Sequence, residues 1–171
     1  MVDADELVAE LYRPGGAGAA AVAELLGDGF LDAAGAVDTA AVAARVFADD
    51  ETRRALERAI HPLVRRRFAE LAAETEEPIV LEATLLVEAG YAPDFDLIVT
   101  VEADAEIRRA RAVERGADPA DVRARLAAQG DGAARRAAAH RHLLNNGSPE
   151  GLAAVVDDLA ADVRRLAAEK V

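Results

Sequence analysis

The chain has 171 residues, the length of one domain with room for a small inserted subdomain. Hydrophobic residues make up 52% and aromatic ones only 4%, so the apolar content is mostly alanine, valine and leucine and points to closely packed helices. A net charge of −12 and the absence of cysteine exclude disulfides, thiolate catalysis and cysteine–zinc sites, and argue against nucleic acid or an anionic membrane as partner. No apolar run reaches membrane-spanning length and no signal-peptide pattern opens the chain, so the expected location is the cytoplasm. Nothing in the residues excludes an oligomer.

In chain order, Met1-Val2-Asp3-Ala4-Asp5 looks like the end of a strand running into acidic residues. Helical spacing follows at Leu7, Val8 and Leu11 and stops at Pro14-Gly15-Gly16. A second helix is predicted over 17–26, and 30–37 reads as a short irregular connection. Asp38 is expected to cap a helix carrying Val42, Val46 and Phe47, and Asp49 or Asp50 another over 51–60. Pro62 suits the first turn of a further helix, on which Val64, Phe68 and Leu71 make one buried stripe.

Residues 78–83 read as a buried strand, and 96–101 as a second with β-branched enrichment. Asp104 is expected to cap a helix through Arg115, and Asp118-Pro119 to start another through Gln129. His142-Leu143-Leu144 is a third short strand candidate. Ser148-Pro149-Glu150 starts the last helix, with Leu152, Val155, Leu159, Val163 and Leu166 on one face. Strands alternating with helices argue for an α/β fold with a parallel sheet and flanking helices. The stretch 17–75 breaks that alternation and reads as a helical insertion within a single domain over 1–171.

In open parallel sheets, ligands bind at the carboxyl ends of strands. That rule selects Asp3 and Asp5, then 82–88, then 100–102, then Asn145-Asn146-Gly147. Asp3 and Asp5 point to one side if the segment is extended, and a carboxylate there can accept a hydroxyl proton. The plainer role is helix capping; it is preferred for Asp3, and for Asp5 both stay open. Arg108, Arg111 and Arg115 share a helical face, followed by Arg123, Arg125, Arg135 and Arg136. Such spacing suits a phosphate clamp, but it also suits a solvated face balanced by Glu106, Glu114 and Asp121, which spacing alone favours. His61 beside Pro62 reads first as a turn-locking side chain. His140 and His142 lack a third metal ligand, so no metal site is assigned. A GxxxxGK[ST] loop is absent from these residues: Gly15-Gly16-Ala17-Gly18 follows a helix and reads as a turn, and the only lysine is Lys170.

Taken together and in order, these residues resemble the dephospho-CoA kinases, P-loop enzymes of coenzyme A synthesis. The resemblance covers essentially the whole chain. Asp3-Ala4-Asp5 with Arg13-Pro14-Gly15 looks like the family's DAD…PG segment, and Asp38 with Arg45-Val46-Phe47 the entry to its helical insertion. His61-Pro62-Leu63-Val64 with Arg65 is similar to its HP motif, and Leu85-Leu86 with Glu88 and Gly90 to its PLL-x-E-x-G loop. Arg111, Arg115, Arg125 and Gln129 resemble the lid arginines and the lid's closing R-x-x-x-Q, and Asn145-Asn146-Gly147 the N-x-G turn near the adenine. Thr84 stands for the usual proline and Val87 for the usual phenylalanine.

The resemblance implies transfer of the ATP γ-phosphoryl group, with Mg²⁺ riding on ATP, to the ribose 3′-hydroxyl of dephospho-CoA. Asp5 would orient or deprotonate that hydroxyl, and Arg111 and Arg115 would stabilise the transferring group. Asp3, His61, Arg65 and Leu86 would hold the acceptor, and Asn145 and Gly147 would shape the adenine pocket. Residues 17–75 would be the substrate-binding insertion and 105–136 a lid. The family's front unit of strand, P-loop and helix has no counterpart here, so the expectation is a late-starting sequence with little or no kinase activity of its own. The alternative is a P-loop-less relative that binds a coenzyme A precursor or a protein partner. The family's first strand is central, so its absence would leave the sheet divided between the strands near Ile79 and Leu97.

Overall fold

The computed structural model describes residues 1–128 and 132–169; Gln129 and Lys170 lie outside them. The chain divides into two compact units, Met1–Thr84 and Leu85–Val171. Each holds a short parallel strand pair and several helices, as the α/β reading expects, and among the described residues the strands form two pairs.

In the first unit, strand β1 (Val2–Asp3) pairs in parallel with β2 (Leu81–Glu82), in the register Val2 to Leu81 and Asp3 to Glu82. The strand expected over 78–83 is therefore only two residues long, and neither is buried. With one hydrogen-bonded neighbour, little ladder can form there. Helix α1 (Ala4–Leu11) follows β1 directly and buries Leu7 and Leu11. The glycine-rich segment is the predicted turn, with Gly15 at φ +75° leading into α2 (Ala17–Leu26). The connection over 30–37 is more ordered than its irregular sequence suggests. Asp32 Oδ1 accepts the Ala34 and Ala36 N–H groups, and Leu31 and Val37 form an antiparallel bridge. Asp38 caps α3 (Thr39–Ala48) as expected, but Phe47 stands 95% exposed instead of joining Val42 in the core.

The largest departure is α4 (Asp50–Ala73), one continuous helix where two are expected. Pro62 lies inside it without an N–H to offer the preceding turn, an interior position that costs about 3 kcal/mol. Helix continuity is favoured by an unbroken apolar stripe. Ile60 and Val64 are buried with Leu7 and Leu11, and Leu56, Leu63, Phe68 and Leu71 pack around them. Each fully buried side chain of this kind contributes about 1.5–3 kcal/mol, so the stripe outweighs one lost hydrogen bond. A second cluster joins Ala19, Val22, Val37 and Val42, and Tyr12 and Leu56 touch both clusters.

Asp49 sets where α4 begins. Its Oδ1 accepts the Glu51 and Thr52 amides at 3.0 and 3.2 Å, and its Oδ2 the Thr52 hydroxyl at 2.7 Å. Arg45 Nη1 lies 2.9 Å from Oδ2. The Thr52 hydroxyl first, then the two amides and Arg45, hold this carboxyl at about 2, below the usual carboxylate range. Because the folded pKa lies below the unfolded one, the cap's contribution is complete above about pH 4 and is lost as pH falls towards about 2. Asp49→Ala is expected to lower Tm at neutral pH and to flatten the decline of Tm between those limits. Circular-dichroism melts across that range check this, and parallel acid limbs for the two proteins would refute it.

In the second unit, β3 (Val99–Glu102) and β4 (Arg141–Leu144) pair in parallel from Val99–Arg141 to Glu102–Leu144. His140 is part of this pairing: its Nδ1 accepts the Ile98 N–H at 2.9 Å while its own N–H donates to the Ile98 carbonyl at 2.8 Å. Helices α5 (Ala105–Glu114), α6 (Pro119–Ala128), α7 (Ala133–Ala138) and α8 (Pro149–Ala168) complete the unit. Ser148 caps α8 through the Gly151 N–H, and Asp118 caps α6 through the Ala120 and Asp121 N–H groups. Asp104 does not cap α5 with its side chain, contrary to expectation. Of the apolar face expected on α8, Val155 is 41% exposed, while Leu152, Leu159, Val163 and Leu166 are half-buried.

Candidate functional site

In the first unit the candidates lie on α1 and α4. The reading of Asp3 and Asp5 as pointing to one side of an extended segment is corrected, because α1 begins at Ala4. Asp3 ends β1, and its Oδ1 accepts the Asp5 N–H at 2.7 Å, which turns the chain helical at once. Asp3 thus has the plainer capping role, and Asp5 is an exposed carboxylate in the first turn of α1. His61 is not at a helix entry; the continuity of α4 places it mid-helix, half-buried and one turn before the exposed Arg65. Arg67, from the same helix, donates its Nε to Glu10 at 2.9 Å and so ties α4 to the helix carrying Asp5. These two elements therefore present a carboxylate, an imidazole and a guanidinium within one packed pair of helices.

In the second unit an open cavity of about 620 Å³ is lined by α5, α6 and the ends of β3 and β4. Arg108, Arg111, Arg115 and Arg125 all line it, together with the acids Glu102, Asp118 and Asp121. The helical spacing of the α5 arginines predicted a shared face, and the structure turns that face onto a concavity. Among the described residues, Arg111 pairs with no acid. Its Nη1 donates to the Asn145 carbonyl at 2.7 Å and its Nη2 to the Gly147 carbonyl at 2.9 Å. Arg135 and Arg136 are paired: Arg135 with Glu88 at 2.9 Å, and Arg136 with Glu102 at 3.9 Å.

Asn145 lines the cavity, and its N–H donates to the Glu102 carbonyl at 2.7 Å, extending the β3–β4 pairing by one bond. Gly147 is exposed in the turn that follows. Leu86, half-buried, sits in a tight turn where its carbonyl accepts the Tyr91 N–H at 3.0 Å. Asn146 was noted in the sequence only as the middle of the turn. Its Oδ1 accepts the Asp104 N–H at 2.9 Å, at the N-cap position of α5, where Asp104 makes no side-chain cap of its own. No local signal predicts a bond spanning 42 positions. Gln129, the expected close of the lid motif, falls outside the described residues.

Chemically, a concavity lined by four guanidinium groups suits an anionic ligand. A family model described as dephospho-CoA kinase (CoaE) matches residues 1–150. The dephospho-CoA kinase of Mycobacterium tuberculosis (strain ATCC 25618 / H37Rv) is 48% identical over 155 residues, covering 89% of this chain and 38% of its own length. The chain thus spans about two-fifths of the mycobacterial relatives it matches. The dephospho-CoA kinase of Streptomyces avermitilis is 37% identical over 166 residues, covering 95% of this chain and 81% of the relative. Among solved structures, TT1252 from Thermus thermophilus superposes with a TM-score of 0.76 at 32% identity, over 95% of this chain and 83% of that one. A dephospho-CoA kinase from Campylobacter jejuni, 18% identical, has the same fold with a TM-score of 0.65 over 94% of this chain and 85% of its own.

Proposed function

This chain belongs to the dephospho-CoA kinase family, and on that premise we propose that it serves ATP-dependent phosphorylation of the ribose 3′-hydroxyl of dephospho-CoA. The observation that carries the reading is the arginine-lined cavity beside the Asn145–Gly147 turn. Asn145 and Gly147 would border the adenine of ATP. Arg115, Arg125 and Arg111 would face its phosphates, where fixed positive charge stabilises the charge developing on the transferring group. Mg²⁺ enters with ATP as part of that substrate.

Asp5 would take the acceptor hydroxyl's proton, since its carboxylate is exposed at the start of α1. Asp3 would act from its capping position, and His61 and Arg65, one turn apart on α4, would hold the acceptor's phosphate; Leu86, in the second unit, is a separate candidate for acceptor binding. The helical stretch 17–75 is the proposed acceptor-binding insertion and 105–136 the proposed lid. A cytoplasmic location fits this chemistry; among the described residues no helix is long and apolar enough to cross a membrane. Isothermal titration of the chain with dephospho-CoA and with ATP, followed by mass analysis of the incubated mixture, tests the reading. Saturable binding of dephospho-CoA is expected, and, with no GxxxxGK[ST] loop among these residues, at most slow formation of its 3′-phosphate. Absence of dephospho-CoA binding would overturn the proposal.

A further inference from the structure

The turn after β4 is fastened to the arginine helix α5 at two places. At the start of α5, Asn146 Oδ1 accepts the Asp104 N–H at 2.9 Å. Two turns along, Arg111 donates to the Asn145 and Gly147 carbonyls at 2.7 and 2.9 Å. The turn is itself anchored to β3 by the Asn145 N–H on the Glu102 carbonyl. One attachment point would let a helix swing about it, whereas two fix its direction. Asp104 makes no side-chain cap bond, and the Asn146 side chain adds a hydrogen bond at the leading end of α5, where the chain leaves β3.

We infer that Asn146 is a positioning residue, which with Arg111 makes the turn and the arginine helix move as one body. The inference rests on the nucleotide reading of the same site and deepens it: a base seated against the turn is reported to the helix whose arginines face the phosphates. Asn146 needs no contact with the nucleotide for this. Its side chain acts by holding the Asp104 amide, so the direction of α5 is set before the phosphates arrive, and less ordering remains to be done on binding.

Hydrogen–deuterium exchange of the whole chain, with residue resolution, tests this in three proteins: wild type, Asn146→Ala and Asn146→Asp. The alanine variant is expected to exchange the Asp104 amide about tenfold faster, the scale of one lost hydrogen bond. The aspartate variant keeps an acceptor oxygen and is expected to restore wild-type exchange. The His140 amide, at the far end of the strand pair, reports whether the fold is intact. With millimolar ATP, exchange should slow at both the turn and the first turn of α5 in wild type, but at the turn alone in Asn146→Ala. Equal Asp104 exchange in wild type and Asn146→Ala would overturn the positioning role, as would ATP slowing the turn and not α5 in wild type. ATP that slows neither would overturn the nucleotide reading instead, and the Asp104 comparison would still decide the positioning role. Should the alanine variant lose His140 protection, Arg111→Lys replaces it. Loss of the paired carbonyl bonds there should loosen α5, and unchanged α5 exchange would overturn the inference.

Discussion

On the proposed function, Asp5→Asn is expected to lower kcat for 3′-phosphoryl transfer by about 10²–10⁴-fold, the range for loss of a positioned general base. The substitution is close to isosteric, and it leaves the Asp5 N–H on Asp3 Oδ1 in place. The start of α1 should therefore persist, as should the packing of Leu7 and Leu11. Tm and the affinity for ATP should stay near wild type, which separates lost chemistry from lost structure. Asp3→Asn is the informative contrast, because asparagine also caps helices well. It should cost much less. Steady-state kinetics with ATP and dephospho-CoA on both variants measure this, and a drop of less than about tenfold for Asp5→Asn would remove it from the proposed role of base.

Gly16→Ala is expected to be the most damaging small change in the first unit. The backbone at Gly16 has φ −71° and ψ 152°, which any residue adopts, so conformational strain is not the reason. A Cβ there would collide with the carbonyl oxygen of Leu11 and stand 2.9 Å from its carbonyl carbon. Both are backbone atoms held by the core packing of Leu11, so no side chain can swing aside. Overpacking of this kind costs about 3 kcal/mol, or a fall in Tm of more than about 10 °C for a unit of this size. Gly15→Ala gives the comparison. Its φ of +75° penalises a side chain by only about 1–2 kcal/mol, and the space around it is open. Thermal melts should rank Gly16→Ala well below Gly15→Ala, and the reverse order would refute the steric account.

Local chemistry in the sequence located the caps at Asp38, Asp118 and Ser148, the turn at Gly15-Gly16 and the strand at His142-Leu143-Leu144. Each rests on residues within a few positions of one another. Pro62 misled for the opposite reason. Its local preference is a helix start, while the interaction that decides is the distant packing of Ile60 and Val64 on α1. Asp104 likewise has a local capping preference that its side chain does not use, while its own N–H is bonded by the distant Asn146. The arginine face on α5 was visible as spacing, but whether it met solvent, acids or a concavity depended on where α6 and the β4 turn lie. Asp5 was legible as a strand-end carboxylate and misread in its geometry, because a single hydrogen bond from its own amide to Asp3 converts strand into helix.

The pairing of Val2 with Leu81 also bears on the order of folding. It closes nearly the whole first unit into a loop, and closure entropy grows with loop length. A ladder of two residues cannot offset that cost alone, so it must wait until α1 has docked on α4 and brought the ends together. The contact order of this one pair, longer than that of the α1–α4 packing it depends on, makes it a late event in the unit. Run backwards, it is the first part to open. The Val2 N–H, bonded to the Val80 carbonyl at 2.8 Å, should then exchange by a local fraying that leaves the interior of α4 closed. The segment leading into Asp5 is thus a seam at the start of the chain, fastened last and loosened first.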